Sequence, residues 1–243
     1  MVSVHTCIEA NRVTRKFGRQ TVLDNISLTV RQGEIFGLLG PSGSGKTTLV
    51  KIITGLDVPD GGEVTLLGER MPKLSMLSRI GYMAQSDALY GELSAQENLA
   101  FFASLYGLRG AGLKRRMEET AELVKLTGDL KKPVHLYSGG MKRRLSLAVA
   151  LMHEPEVLVL DEPTVGIDPV LRKSIWNELE SLRRGGVTIL MTTHVMDEAE
   201  KCDRLAMIRD GSVIASGSPI ELKSSSGTST MEDAFVAFGG GAR

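Results

Sequence analysis

Gly40-Pro41-Ser42-Gly43-Ser44-Gly45-Lys46-Thr47 follows the apolar run Ile35-Phe36-Gly37-Leu38-Leu39 and precedes a helical run from Thr48 to Thr54. These eight residues fit G-x-x-x-x-G-K-[ST] in the strand, loop and helix context that the pattern requires. The glycines let backbone N–H groups close around phosphates at a helix N-terminus. The Lys46 ammonium neutralises the outer phosphates, and the Thr47 hydroxyl is suited to ligate Mg2+. The loop predicts binding of a nucleoside triphosphate, with residues Gly40 to Thr47 and the adjoining Thr48 forming the cradle.

Three further runs are short and almost wholly apolar: Ile80 to Ala84, Val157 to Leu160 and Val187 to Met191. Strands buried on both faces read this way, which predicts a largely parallel sheet. Each run ends in a residue suited to chemistry, namely Gln85, Asp161-Glu162, and His194 after Thr192-Thr193. In open α/β sheets ligands sit at the carboxyl ends of the strands, so four segments point at one crevice. By contrast, Val22 to Val30 alternates apolar and polar residues before Arg31-Gln32-Gly33, the pattern of a half-buried antiparallel strand. Between Ser94 and Pro155 the periods turn helical, with Leu99, Phe102, Ala103 and Tyr106 on one stripe, Met117, Ala121 and Val124 on another, and a helix through Leu145 to Met152. The expected fold is α/β, a mainly parallel P-loop NTPase sheet with an N-terminal antiparallel β subdomain and an inserted helical subdomain. Its core takes in about 1–85 and 156–224, the helical part about 86–155. Lys223 to Ser229 reads as a flexible linker, and Thr230 with Asp233 as the cap of a short helix through Phe238 before Gly239-Gly240-Gly241.

Composition narrows the function classes. Lys plus Arg and Asp plus Glu number 29 each in 243 residues, so no net field recruits nucleic acid, and no nucleic-acid partner is expected. Cys7 and Cys202 lack the spacing of a metal knuckle or redox pair, which fits a reducing cytoplasm. No window approaches the roughly 18 consecutive apolar residues of a membrane span, so membrane attachment is expected through a partner. The basic runs Lys114-Arg115-Arg116 and Lys142-Arg143-Arg144 read as solvated helix faces, and the Phe101-Phe102 and Tyr106 stripe as core of the helical lobe.

Asp161 can hold Mg2+ through water, and the adjacent Glu162 stands where in-line attack on a γ-phosphate needs a base, which favours hydrolysis over transfer to an acceptor. The bland alternative is that Glu162 caps the turn at Pro163-Thr164. Tyr137-Ser138-Gly139-Gly140-Met141, at the start of a long helix, makes a second anion-ready terminus, and one nucleotide does not need two from one subunit. Here the sequence resembles the ATP-binding cassette (ABC) ATPases, whose signature is Leu-Ser-Gly-Gly-Gln, from about residue 8 to residue 222.

That resemblance implies roles residue by residue. Phe17 corresponds to the aromatic stacked on adenine, Gly40 to Thr47 to the phosphate loop, and Gln85 to the residue linking Mg2+ and water to the helical lobe. Ser138, Gly139 and Gly140 correspond to the signature, Asp161 and Glu162 to the metal ligand and base, Asp168 to the acid of the loop crossing to the other subunit, and His194 to the switch on the γ-phosphate. It further implies ATP and Mg2+ as ligands and a second cassette chain, most simply a homodimer, whose signature closes over the first chain's ATP. An integral membrane permease would be met near Gln85 to Gly91 at the inner face of the membrane. Read from the residues alone, Gln85 can be a turn residue and Phe17 a cover for the small sheet. Tyr137, Met141, Val165-Gly166-Ile167 and Phe17 depart from the common pattern. With Lys142-Arg143-Arg144 and Gly166-Ile167-Asp168-Pro169 they resemble the ABC-2 type exporter ATPases of bacteria, including drug and antibiotic efflux subunits. An importer cassette, a soluble cassette protein of translation or repair, and a P-loop kinase or GTPase are the rival classes. The last lacks a guanine-reading Asn-Lys-x-Asp segment and leaves Ser138 to Gly140 without a role.

Overall fold

The apolar runs form buried strands. The computed structural model describes residues 5–240, which fall into two units, 5–76 with 188–240 and Leu77–Val187. The first unit begins with β1 (Thr6–Phe17), β2 (Gln20–Arg31), β3 (Ile35–Leu39), α1 (Lys46–Ile53), β4 (Gly61–Leu66) and β5 (Glu69–Arg70). The second holds β6 (Ile80–Met83), α2 (Ala95–Leu105), α3 (Gly110–Leu123), α4 (Gly139–Leu151), β7 (Val157–Asp161) and α5 (Pro169–Arg184). The chain then completes the first with β8 (Thr188–Thr193), α6 (Met196–Ala199), β9 (Arg204–Arg209), β10 (Ser212–Gly217), α7 (Pro219–Ser226) and α8 (Met231–Phe238).

In the first unit β2, β1, β4 and β5 make an antiparallel sheet. Alternation along β2 buries Leu23, Ile26, Leu28 and Val30, the three-residue step from Leu23 to Ile26 spanning Asn25, which takes a left-handed backbone. The other sheet centres on β3, parallel to β8 on one side and to β9 on the other, with β10 antiparallel to β9. Every residue of β3 and of β8 is buried, as strands covered on both faces must be.

In the second unit β6 and β7 pair in parallel from Ile80↔Val157 to Met83↔Leu160. The helical lobe consists of α2, α3 and α4. Ser94 and Glu97 form a capping box at the start of α2, satisfying two of its orphan amides. The stripe of Met117, Ala121 and Val124 is buried. The aromatic stripe is not core: Phe101 and Tyr106 remain 39% and 40% exposed. The buried row of α2 runs through Ala95, Asn98, Leu99 and Ala103 instead, leaving Phe101 in edge contact with Tyr90 and Tyr106 stacked on His153 at 3.8 Å.

The stretch from Lys223 to Ser229, expected as a linker, begins as helix. A Ser218–Glu221 capping box opens α7, Leu222 is buried, and the hydroxyls of Ser225 and Ser226 fold back onto the Leu222 carbonyl at 3.2 and 2.9 Å. Composition suggested flexibility, but serine hydroxyls that bond within the helix and one buried leucine suffice to hold the turn. Thr230 caps α8, accepting from the Asp233 amide at 3.1 Å. Gly241 lies outside the described residues. Among those described, no helix is long and apolar enough to cross a membrane.

Helix α8 seats Met231 and Ala234 in a cluster with Leu39, Leu205, Met207 and Leu222. Because Met231 is 1% exposed, Met231→Ala should lower stability by about 2–5 kcal/mol in urea unfolding. A change below about 0.5 kcal/mol, the size of a surface substitution, would show that α8 is not part of the core.

Candidate functional site

In the first unit β3 and β8 run in register to Leu39↔Thr193, and the Gly40 amide donates to the Thr193 carbonyl at 3.3 Å. The phosphate-loop residues and His194 therefore leave the sheet at one edge. Gly45 enters α1 at φ +101°, where a side chain would be strained. Gly40 is fixed by space, since a Cβ there would lie 2.2 Å from the Ile208 carbonyl oxygen. Lys46 is buried and curls beneath the loop, donating to the carbonyls of Gly40 at 2.7 Å and Pro41 at 2.9 Å. Ser44 is buried and its hydroxyl has no protein hydrogen-bond partner, which suits a loop that takes an anion's oxygens. Pro41, Ser42 and Gly43 are exposed at the tip, and Thr47 and Thr48 are half-buried in the first turn of α1.

His194 is exposed just beyond β8. The preceding Thr193 hydroxyl donates to Glu198 at 2.6 Å and accepts from the Val195 amide at 2.9 Å, which fixes the backbone on either side of it. Phe17 ends β1 with half its surface exposed and the Arg15 guanidinium 4.8 Å from its ring centroid. Asp57 holds that guanidinium through two hydrogen bonds at 2.8 and 3.1 Å.

In the second unit Asp161, the last residue of β7, is fully buried. Burial, with the Asp161 carboxylate adding to it, pushes the hydroxyl of Tyr82 up to about 12, and the Arg143 guanidinium offsets part of that rise. Among the described residues no group of three or more His, Cys, Asp and Glu could hold a metal by itself. An Mg2+ held by one carboxylate, a hydroxyl and substrate phosphates needs none. Glu162 is 8% exposed and sits in the left-handed region at φ +51°. Its carboxylate accepts from the Gln85 amide at 3.2 Å, while it is the Glu162 backbone carbonyl that accepts from Val165 across the turn. Ser138 caps α4, its hydroxyl accepting from the Met141 amide at 3.3 Å, with Ser138 and Gly139 exposed. Asp168, also exposed, caps α5 by accepting from Leu171 at 3.0 Å.

The basic runs are not solvated faces throughout. Arg143 is 6% exposed and donates to four backbone carbonyls, those of Ala84 at 2.6 Å, Gln85 at 2.9 Å, Glu162 at 2.7 Å, and Asp161. Asp87 lies 3.7 Å from the guanidinium and itself accepts from the Ser146 hydroxyl at 2.8 Å. Arg116 likewise reaches the carbonyls of Leu151 and Met152, and Arg144 those of Val124 and Lys125. Residue type alone pointed to solvent. The position of Arg143 on the i, i+4, i+7 row with Leu147 and Ala150, all buried, was the available signal. Neither Asp87 nor Ser146 stood out in the sequence.

A family model described as ABC transporter matches residues 23–165. The probable multidrug ABC transporter ATP-binding protein YbhF of Escherichia coli is 44% identical over 238 residues, which cover 95% of this chain and 41% of that protein. The linearmycin resistance ATP-binding protein LnrL of Bacillus subtilis is 41% identical over 92% of this chain and 73% of its own length. The Nod factor export ATP-binding protein I of Ralstonia nicotianae is 44% identical over 86% of this chain and 66% of its own. Among solved structures, an ATP-binding subunit of an ABC transporter superposes with a TM-score of 0.89 at 28% identity, over 96% of this chain and all of that one. A dimeric, post-hydrolysis structure of the ATP-binding cassette MJ0796 with ADP and Pi gives 0.80, also at 28% identity, covering 87% of this chain and 98% of that one.

The loop geometry separates two glycines. Gly40→Ala drives a Cβ into a backbone carbonyl and should cost about 3 kcal/mol, at the upper end of overpacking penalties. Gly43→Ala, at φ +81° with nothing within 4 Å, should cost only about 1 kcal/mol. Urea unfolding of the two variants checks the order; equal losses would contradict it.

Proposed function

The chain belongs to the ABC transporter family of ATP-binding proteins, and from that membership we propose that it binds and hydrolyses ATP as the cytoplasmic motor subunit of a bacterial exporter. One observation carries the reading above the others. A phosphate loop with a buried lysine, in the first unit, is accompanied by a second helix N-terminus that Ser138 caps and leaves exposed. Lys46 and the loop from Gly40 to Thr48, through the backbone N–H groups of its residues other than Pro41, hold the phosphates, Phe17 receives adenine, and Thr47, Gln85 and Asp161 serve Mg2+. Glu162 is the base, assisted by Gln85 and His194. Ser138, Gly139, Gly140 and Asp168 face the nucleotide of a second chain. The core and helical subdomains divide near residues 85 and 156 in this reading.

ATP favours the closed pair because its γ-phosphate meets both chains, so the two states differ in affinity for it, and hydrolysis removes the bridge. The permease partner docks on the second unit beside Gln85, where Tyr90 and Phe101 form an exposed aromatic pair with centroids 4.9 Å apart. Relatives that are named for drug resistance and export support the outward direction.

Glu162→Gln should keep ATP affinity within about twofold, accumulate as a dimer in ATP, and lose at least about a hundredfold in kcat, as removal of a positioned base does. Size-exclusion chromatography with a phosphate-release assay reads both, and wild-type turnover in that variant would sink the assignment.

A further inference from the structure

We propose that Arg143 is a positioning residue for hydrolysis, a side-chain staple that sets where Gln85 and Glu162 stand and ties both to the helix that begins at the signature. The inference rests on Glu162 acting as the base.

The last ladder pair between β6 and β7 is Met83↔Leu160. The next two pairs in that register would be Ala84 with Asp161 and Gln85 with Glu162, and all four of their carbonyls accept from Arg143 instead. One terminal nitrogen, Nη1, takes the two carbonyls on the β6 side, and Nη2 takes the two on the β7 side. The planar guanidinium thus fixes the spacing between the two strand ends. Side chains carried on those ends, the Gln85 amide and the Glu162 carboxylate, meet at 3.2 Å.

Two further features show a built arrangement. Asp87, oriented by the Ser146 hydroxyl of the same helix, faces the guanidinium and balances its charge. The left-handed backbone of Glu162 is strained, and the hydrogen bonds from a charged donor to its own and the preceding carbonyl offset that strain. Arg143 lies five residues beyond Ser138 on α4. A shift of that helix is therefore delivered to the strand ends through one rigid fork. Lysine cannot replace it, because a single ammonium has three donors for four carbonyls and no fixed span.

The test compares wild type, Arg143→Lys, Arg143→Met, Asp87→Asn and Gln85→Ala for thermal unfolding, for binding of a fluorescent ATP analogue, and for steady-state kcat and KM. Both Arg143 variants should lower kcat by about ten- to a hundredfold, the scale of a misplacement near 1 Å, with analogue affinity and KM within about threefold. Asp87→Asn, which keeps the arginine, should lower kcat a few fold without lowering the melting temperature, so the proposal survives testing if the Arg143 variants do not fold. Arg143→Lys combined with Gln85→Ala should be little slower than the slower single variant, because both act on one constellation. Full kcat in Arg143→Lys, or full kcat in Asp87→Asn should the Arg143 variants not fold, overturns the staple. So do losses with Gln85→Ala that multiply. An absence of ATPase in the wild type would instead overturn the proposed function.

Discussion

A buried parallel strand cannot end without accounting for its backbone polar groups, and that constraint organises both halves of this protein. Inside the sheet each amide and carbonyl is met by the neighbouring strand. At the carboxyl edge the strands diverge into loops, and the ladder stops while the chain is still buried. Here the edge is closed by cations. In the first unit the Lys46 ammonium accepts responsibility for the carbonyls of Gly40 and Pro41, immediately beyond β3. In the second, Arg143 closes four carbonyls beyond β6 and β7. A charged donor contributes roughly 1.5–3 kcal/mol per hydrogen bond, against comparable costs for each carbonyl left dry. The residue types that ligand chemistry wants at a strand end are thus also the types that the end of a buried strand needs.

The two closures differ in kind. Lysine presents a compact charge on a flexible stem and can rotate between acceptors, which suits the proposed further contact with phosphate oxygens. Arginine's fork has one good geometry and holds it. The second unit, where the carboxylates Asp161 and Glu162 are buried, carries the rigid closure. The proposed phosphate loop carries the adaptable one.

Much of this was legible in the sequence. The strand runs Ile35 to Leu39, Val157 to Leu160 and Val187 to Met191 are almost wholly apolar, the pattern that burial on both faces favours. Thr230 with Asp233 announced a helix start through local chemistry that tertiary contacts did not override. Three features were not legible. The serines of α7 read as linker because residue type reports average solvent preference, whereas their hydroxyls found acceptors one turn back. Phe101 read as core because it is aromatic, although the buried row of α2 passes through its smaller residues, and Tyr106 read as core because the stripe of Leu99 and Ala103 extends to it, although α2 ends at Leu105. Arg143 read as solvated because arginine usually is, although its helical position was a core position. For Arg143 periodicity and residue type disagreed, and periodicity was right, because the backbone's geometry decides which side faces in before the side chain's chemistry is consulted.

The exposure pattern of the site residues bears on why the proposed unit is a pair. Lys46, Asp161 and Glu162 are buried, as groups must be whose electrostatic effect depends on exclusion of water. Ser138, Gly139 and Asp168 are exposed, yet their local chemistry is complete, since Ser138 and Asp168 each cap a helix with a good hydrogen bond. Capping explains a serine or an aspartate but not two glycines at the start of α4, which cost helix stability of about 1 kcal/mol each relative to alanine. Neither glycine has a positive φ, and a Cβ at Gly139 would meet nothing within 4 Å. Among the described residues nothing therefore requires glycine at Gly139. In the proposed pair a glycine there would serve an approach from outside, since it leaves the backbone bare to a triphosphate carried by the second chain, whose charge a helix N-terminus attracts.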